Sequence, residues 1–163
     1  MRRTVMVLMP LMLVGMSVKA DVCMTRSERD ADMVRHLQTQ MMVGALQCRG
    51  IRDLGQRGLY NEFVTGWKSE LGRHGAVLIS WFERHEGATW KSHLDRHVTE
   101  LANRISAESR ADPAFCAAIA RLGEELRDAD GDDLVASAAR APIAYSEPAP
   151  LCPGGERRLV TAQ

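Results

Sequence analysis

His93 and His97 stand four residues apart. On a helix that spacing puts both imidazoles on one face. Zinc or copper could be held there with His85 or Glu100 as further ligands. The pattern stops short of a site. His85-Glu86-Gly87-Ala88-Thr89 lacks the second histidine of a zinc-protease helix, and two imidazoles alone do not complete a coordination shell. The reading adopted is a pair of histidines flanking a buried stripe defined by Leu94 and Val98, one of them donating to a carboxylate or to solvent. No metal and no cofactor are expected.

The remaining chemistry-bearing residues are weighed in the same way. Met24, Met33, Met41 and Met42 could offer thioethers to Cu(I), but Met33 and Met41 lie two turns apart on one face, as core residues would. Asp128-Ala-Asp-Gly-Asp-Asp133 has the look of a calcium loop. Its glycine is at the fourth position rather than the sixth, and the twelfth is Ala139 instead of a bidentate glutamate, so the loop reads as a helix–helix turn. No nucleophile elbow, phosphate loop or dinucleotide fingerprint occurs. Glu62, Glu70, Glu83, Asp95 and Glu100 fall on polar faces. Phe63, Trp67, Trp81 and Trp90 could line a ligand cleft between the second and third helices, although aromatic side chains more often fill a core. No catalytic residue is assigned, and the expectation is a protein that is not an enzyme.

Four cysteines, Cys23, Cys48, Cys116 and Cys152, make an even set with no C-x-x-C pair. In an exported chain such a set reads as disulfides. The N-terminus supplies the export signal. Arg2 and Arg3 precede a run from Thr4 to Val18 without charge, closed by Val18-Lys19-Ala20. This is the three-part pattern of a cleavable secretory peptide, and its 15-residue apolar run is shorter than the ~20 residues that span a bilayer. Cleavage after Ala20 would leave 143 residues with 18 basic and 21 acidic side chains, a net charge of −3. No block of like charge reaches five residues, so neither nucleic acid nor a membrane surface is an expected partner. Lysine is scarce beside arginine, which suggests a GC-rich bacterial genome and hence the periplasm.

Helical spacing then orders the elements. Thr25-x-x-Glu28 is a capping box that opens a first helix. Met33, Val34, Leu37, Met41, Ala45 and Cys48 follow in steps of three and four, and Gly50 stops it. A second helix from about Leu59 carries Tyr60, Phe63, Val64, Trp67, Leu71, His74, Leu78, Trp81 and Phe82 on one face as far as Gly87. Gly72 is the position where it would break, though the register does not slip there. A third runs from Thr89 to Ala107. Asp112-Pro113 starts a fourth, with Asp as cap and Pro as the first helical residue. A short fifth is capped by Asp132 or Asp133 and ends by Ala141. Prolines 142, 148, 150 and 153 exclude regular structure beyond. The expected fold is all-α: an up-down four-helix bundle with a short fifth helix and an extended proline-rich C-terminal tail, disulfide-linked. Residues 1–20 are the signal peptide, 21–141 the helical domain and 142–163 a tail tethered by Cys152.

Helix direction restricts the cysteine pairing. Cys23 and Cys48 bracket the first helix, whose ~1.5 Å rise per residue holds them over 30 Å apart, whereas a disulfide needs Cα atoms within roughly 7 Å. With short turns and antiparallel neighbours, Cys48 and Cys116 meet at one end and Cys23 and Cys152 at the other. The second bond is expected to hold a tail that could not pack by itself, so that its loss matters less.

The stretches Cys48-Arg49-Gly50, Tyr60-Asn61-x-Phe63-Val64, Leu94-Asp95-x-x-Val98-Thr99-x-Leu101-Ala102-Asn103 and Phe115-Cys116 resemble small exported helical proteins of alphaproteobacteria without assigned activity. The resemblance covers residues 46–116. It implies a helical fold and pairing of the two middle cysteines, and no substrate. The functional expectation is an exported protein of the periplasm that binds a protein or cell-envelope partner or acts on unfolded chains under stress. The alternative is a small-molecule or metal carrier using the cleft between the second and third helices.

Overall fold

A computed structural model describes residues 22–51, 54–129 and 134–153. The segment 1–20, the caps Asp132 and Asp133, and the chain beyond Pro153 lie outside the described residues. Among the described residues six α-helices follow one another: α1 (Arg26–Gln47), α2 (Gln56–Gly66), α3 (Lys68–Glu86), α4 (Trp90–Ala111), α5 (Phe115–Asp128) and α6 (Leu134–Ala139). Single turns of 3-10 helix at Cys48–Gly50 and Gly87–Thr89 close α1 and open α4.

The capping box at Thr25 forms as its sequence requires. The Thr25 side chain accepts from the Glu28 amide, and the Glu28 carboxylate accepts from the Thr25 amide at 2.8 Å. The second expected helix is α2 and α3 together. It runs unbroken through Gly72 and Gly75 and is interrupted instead at Trp67, where backbone bonds from Trp67 to Phe63 and from Leu71 to Trp67 carry the ladder across the bend. Gly87 ends α3 with φ +53°, a conformation open to glycine at little cost. The fourth expected helix begins two residues later than Pro113. Asp112 still acts as a local cap, its carboxylate accepting from the Ala114 amide at 2.8 Å, but the first helical residue is Phe115.

Contacts fix the directions. Trp81 and Arg84, late in α3, meet Cys23 and Glu28 at the start of α1. His97 in α4 meets Asp32, and Ser109 further along meets Gln47. Cys116, at the head of α5, is bonded to Cys48 at the foot of α1. Counting the bent α2–α3 as one, the four long helices therefore alternate up and down. Both disulfides expected from those directions are present, Cys48–Cys116 and Cys23–Cys152, with Cα separations of 5.7 and 5.0 Å.

Helix α1 is the axis of the molecule and packs against each of the other five helices. Two apolar clusters flank it. The larger gathers Leu37, Met41, Phe63, Trp67, Ile105, Phe115, Ile119 and Leu126; the smaller gathers Met24, Ala31, Leu78, Trp81 and Phe82. Gly44 lets α1 pack tightly on α5 and α2: an added Cβ would lie 3.0 Å from Ile119 Cγ2 and 3.2 Å from Gln56 Oε1. Ile119 is fully buried and cannot retreat. Gly44→Val is therefore expected to cost about 2 kcal/mol by overpacking, read as a lower urea midpoint with an unchanged slope.

Candidate functional site

A C-terminal strap, residues 142–153, runs down the face of α1 rather than hanging from its disulfide. Ile143 and Ala149 are buried in the two clusters. Beneath the strap lies a row of side chains at one-turn steps on α1: Glu28, Asp32, His36 and Gln40, all four buried. Glu28 pairs with Arg84 of α3. Burial pushes its carboxyl up, but the Thr25 amide and the Arg84 guanidinium outweigh that and hold it below the ordinary value.

Asp32 accepts from two directions. His97 Nε2 of α4 lies 2.7 Å from Oδ1, and the Tyr145 hydroxyl donates to Oδ2 at 2.9 Å. Burial first, then the Asp32 charge and hydrogen bond, raise the Tyr145 phenol well above its ordinary value, so it stays a donor. Gln40 is locked to the strap. Its Oε1 accepts from the Ile143 amide at 2.9 Å and its Nε2 donates to the Ile143 carbonyl at 2.9 Å. The second Nε2 proton faces His36 Nδ1 at 3.1 Å. His36 also meets the Tyr145 ring edge-on, with centroids 5.7 Å apart. Its Nε2 is buried and meets no hydrogen-bond partner among the described residues. Further down, Arg29 and Glu147 form an ion pair at 3.5 Å, and Met24 and Leu151 pair as an isolated bridge through Met24 N–Pro150 O and Cys152 N–Met24 O.

The residues singled out from sequence are dispersed. His97 is bonded to Asp32, while His93 turns to Glu86 Oε2 at 2.9 Å and to Arg96. Among the described residues no three metal-ligating side chains converge. Phe63 and Trp67 belong to the larger cluster, and the Trp67 indole donates to the Leu126 carbonyl at 2.9 Å. Trp81 belongs to the smaller cluster, and its indole donates to the Cys23 carbonyl. Trp90 packs at the edge of that cluster. The four aromatic residues thus fall into two groups. An open depression of about 740 Å³ does reach Trp67, but it lies between α2, the start of α3 and the end of α5, with Leu126, Ala129, Glu62, Glu70 and Arg127 among its other walls.

Helix α4 departs from its expected burial. Leu101 and Ile105 are inside, but Leu94 and Val98 are only half-buried. With Trp90 they form a strip at one-turn steps that frames a shallow apolar depression of about 310 Å³ between Lys91 and Asp95. The first half of α4 meets the bundle through His97 and through Trp90 and Leu94, which pack on the smaller cluster with part of their surface still open, as is part of Val98.

Sequence reasoning passed over Asp32, His36, Gln40 and Tyr145. The available signal was the row Glu28-x-x-x-Asp32-x-x-x-His36-x-x-x-Gln40. A polar row at constant four-residue steps lies along one helix ridge, and on a helix enclosed on all sides that ridge has to be buried and paired. Comparison with protein-family models, curated proteins and solved structures found no match to this chain.

Proposed function

We propose that the chain is an exported helical protein that acts by binding, and that the outer strip of α4 receives an apolar segment of another protein chain. The observation that carries this reading is the strip Trp90–Leu94–Val98, a half-buried apolar row with a depression beside it. Apolar side chains at one-turn spacing on an exposed helix face are the usual receiver for an apolar helix or an extended segment. The flanking charges, Lys91 and Asp95, are of opposite sign, which suits a neutral, apolar occupant over a polyanion. The chemistry-bearing groups support the same reading: Asp32 and Gln40 spend their hydrogen bonds on holding the strap. The N-terminal signal pattern and the two disulfides suit work in an oxidising compartment.

The test is aggregation of a chemically unfolded client followed by light scattering at neutral pH. Wild-type protein at equimolar ratio is expected to slow aggregation, and Leu94→Asp/Val98→Asp is expected to abolish the effect while circular dichroism stays unchanged. Equal protection by the variant, or none by the wild type, would refute the proposal.

A further inference from the structure

We propose that His36, Gln40 and Ile143 form an acid-operated latch: a proton on the His36 imidazole opens the amide lock on Ile143, and the upper strap lifts from α1 while Cys152 keeps its lower end tethered. The Ile143 amide can only donate and its carbonyl only accept. Together they fix which end of the Gln40 amide is which, with Oε1 on the Ile143 nitrogen and Nε2 on the carbonyl. The remaining Nε2 proton points at His36 Nδ1, so Nδ1 must carry a lone pair and the neutral imidazole must hold its proton on Nε2. That Nε2–H is buried and meets no acceptor among the described residues.

A second proton can enter only at Nδ1, where it would confront the Gln40 Nε2 donor. Turning the Gln40 amide over relieves that clash and creates two others, because both of its bonds to Ile143 are then reversed. The charged imidazole therefore disfavours the closed strap. The surroundings act in the same direction overall. From α4, Arg104 disfavours a nearby positive charge, and His97 engages the Asp32 carboxylate. From α1, Asp32 one turn away favours the charge. From the strap, Tyr145 offers a ring edge and a hydroxyl already committed to Asp32, and Glu147 is paired with Arg29. Burial dominates, followed by Arg104, and holds the His36 imidazole down at about 4.

The sign follows. A histidine whose closed-state value lies below its open-state value near 6.5 leaves the closed state at full strength above pH 6.5. That preference is lost as pH falls, and the loss is complete below about 4. Across this window the strap's closing equilibrium weakens roughly 300-fold.

Amide hydrogen exchange by NMR on the full chain with both disulfides intact reads the latch directly. Protection of the Ile143 amide, relative to an unstructured peptide at the same pH, is expected to fall about tenfold per pH unit between pH 6.5 and 4. In His36→Met it is expected to stay flat. The Cys152 amide, bonded to Met24 O, is expected to remain protected. The latch is overturned if wild-type Ile143 protection does not change, if it falls equally in His36→Met, or if Ile143 exchanges no faster than Leu37 in mid-α1, which would mean that the strap opens only when the whole fold does. The His36 ring signals give a second reading from the wild type alone. A ring that titrates near its ordinary value while Ile143 stays protected would equally overturn it.

Discussion

Replacing Cys48 and Cys116 together by alanine is expected to lower the unfolding free energy by about 4 kcal/mol in the chain-entropy treatment of a cross-link. The bond closes a loop with a sequence separation of 68 residues, and its loss frees that loop in the unfolded chain. Little relief is available in the folded state. Cys48 is buried beside Phe115 in the larger cluster, so two small side chains at that point also remove packed sulfur. The same treatment gives a comparable loss, about 5 kcal/mol, for Cys23→Ala/Cys152→Ala, whose loop spans 129 residues. This reverses the expectation that the second bond matters less. That expectation assumed a tail unable to pack, whereas Ile143 and Ala149 are built into the two clusters. Urea titrations at neutral pH of the two double variants check this. A Cys23/Cys152 loss below about 1 kcal/mol would mean that the strap detaches independently and contributes little to the global transition.

Asp32→Ala is expected to cost about 3 kcal/mol. The carboxylate is buried and accepts two hydrogen bonds, from His97 and Tyr145. Truncation leaves both donors facing a void, and each hydrogen bond to a charged acceptor contributes about 1.5–3 kcal/mol. The lower end applies because His97 keeps 20% of its side-chain surface and can turn to water. Asp32→Asn keeps one acceptor oxygen in place and should lose roughly half as much. Tyr145→Phe alone removes a single bond, about 1 kcal/mol. A double-mutant cycle between positions 32 and 145 with no coupling would show that the strap hydroxyl and the carboxylate do not act on each other.

Helix identity, direction and cysteine pairing were legible because they rest on local rules: the capping box at Thr25, the apolar steps through Phe63 and Phe82, and the length of α1 that keeps Cys23 from Cys48. The polar row under the strap was not, because amphipathic reading assumes that each helix has a wet side. Helix α1 is enclosed by every other helix, so Asp32, His36 and Gln40 are interior, and their partners Tyr145 and Ile143 lie more than 100 residues away in sequence. Helix α4 errs in the opposite sense. Its stripe through Leu94 and Val98 has the period of a buried face, yet that strip is only half-buried. Position in the bundle, which periodicity does not encode, decided both. The interruption at Trp67 directly follows Gly66, and the Trp67 indole there donates to the Leu126 carbonyl.

The Cys23–Cys152 bond has a mechanical consequence. Cys23 and Cys152 sit with Cα atoms 5.0 Å apart, so the backbone between them is a closed covalent ring. A pull applied through the segments on either side of that ring would pass from one sulfur to the other and leave the helices unloaded. Unfolding under tension should therefore require a reductant, and extension after reduction should stop early at the inner ring closed by Cys48–Cys116 unless that bond too is cut. The same closure places both attachment points at one pole, so a surface or neighbour grafted to either end would hold the molecule from that pole and present α4 at its flank.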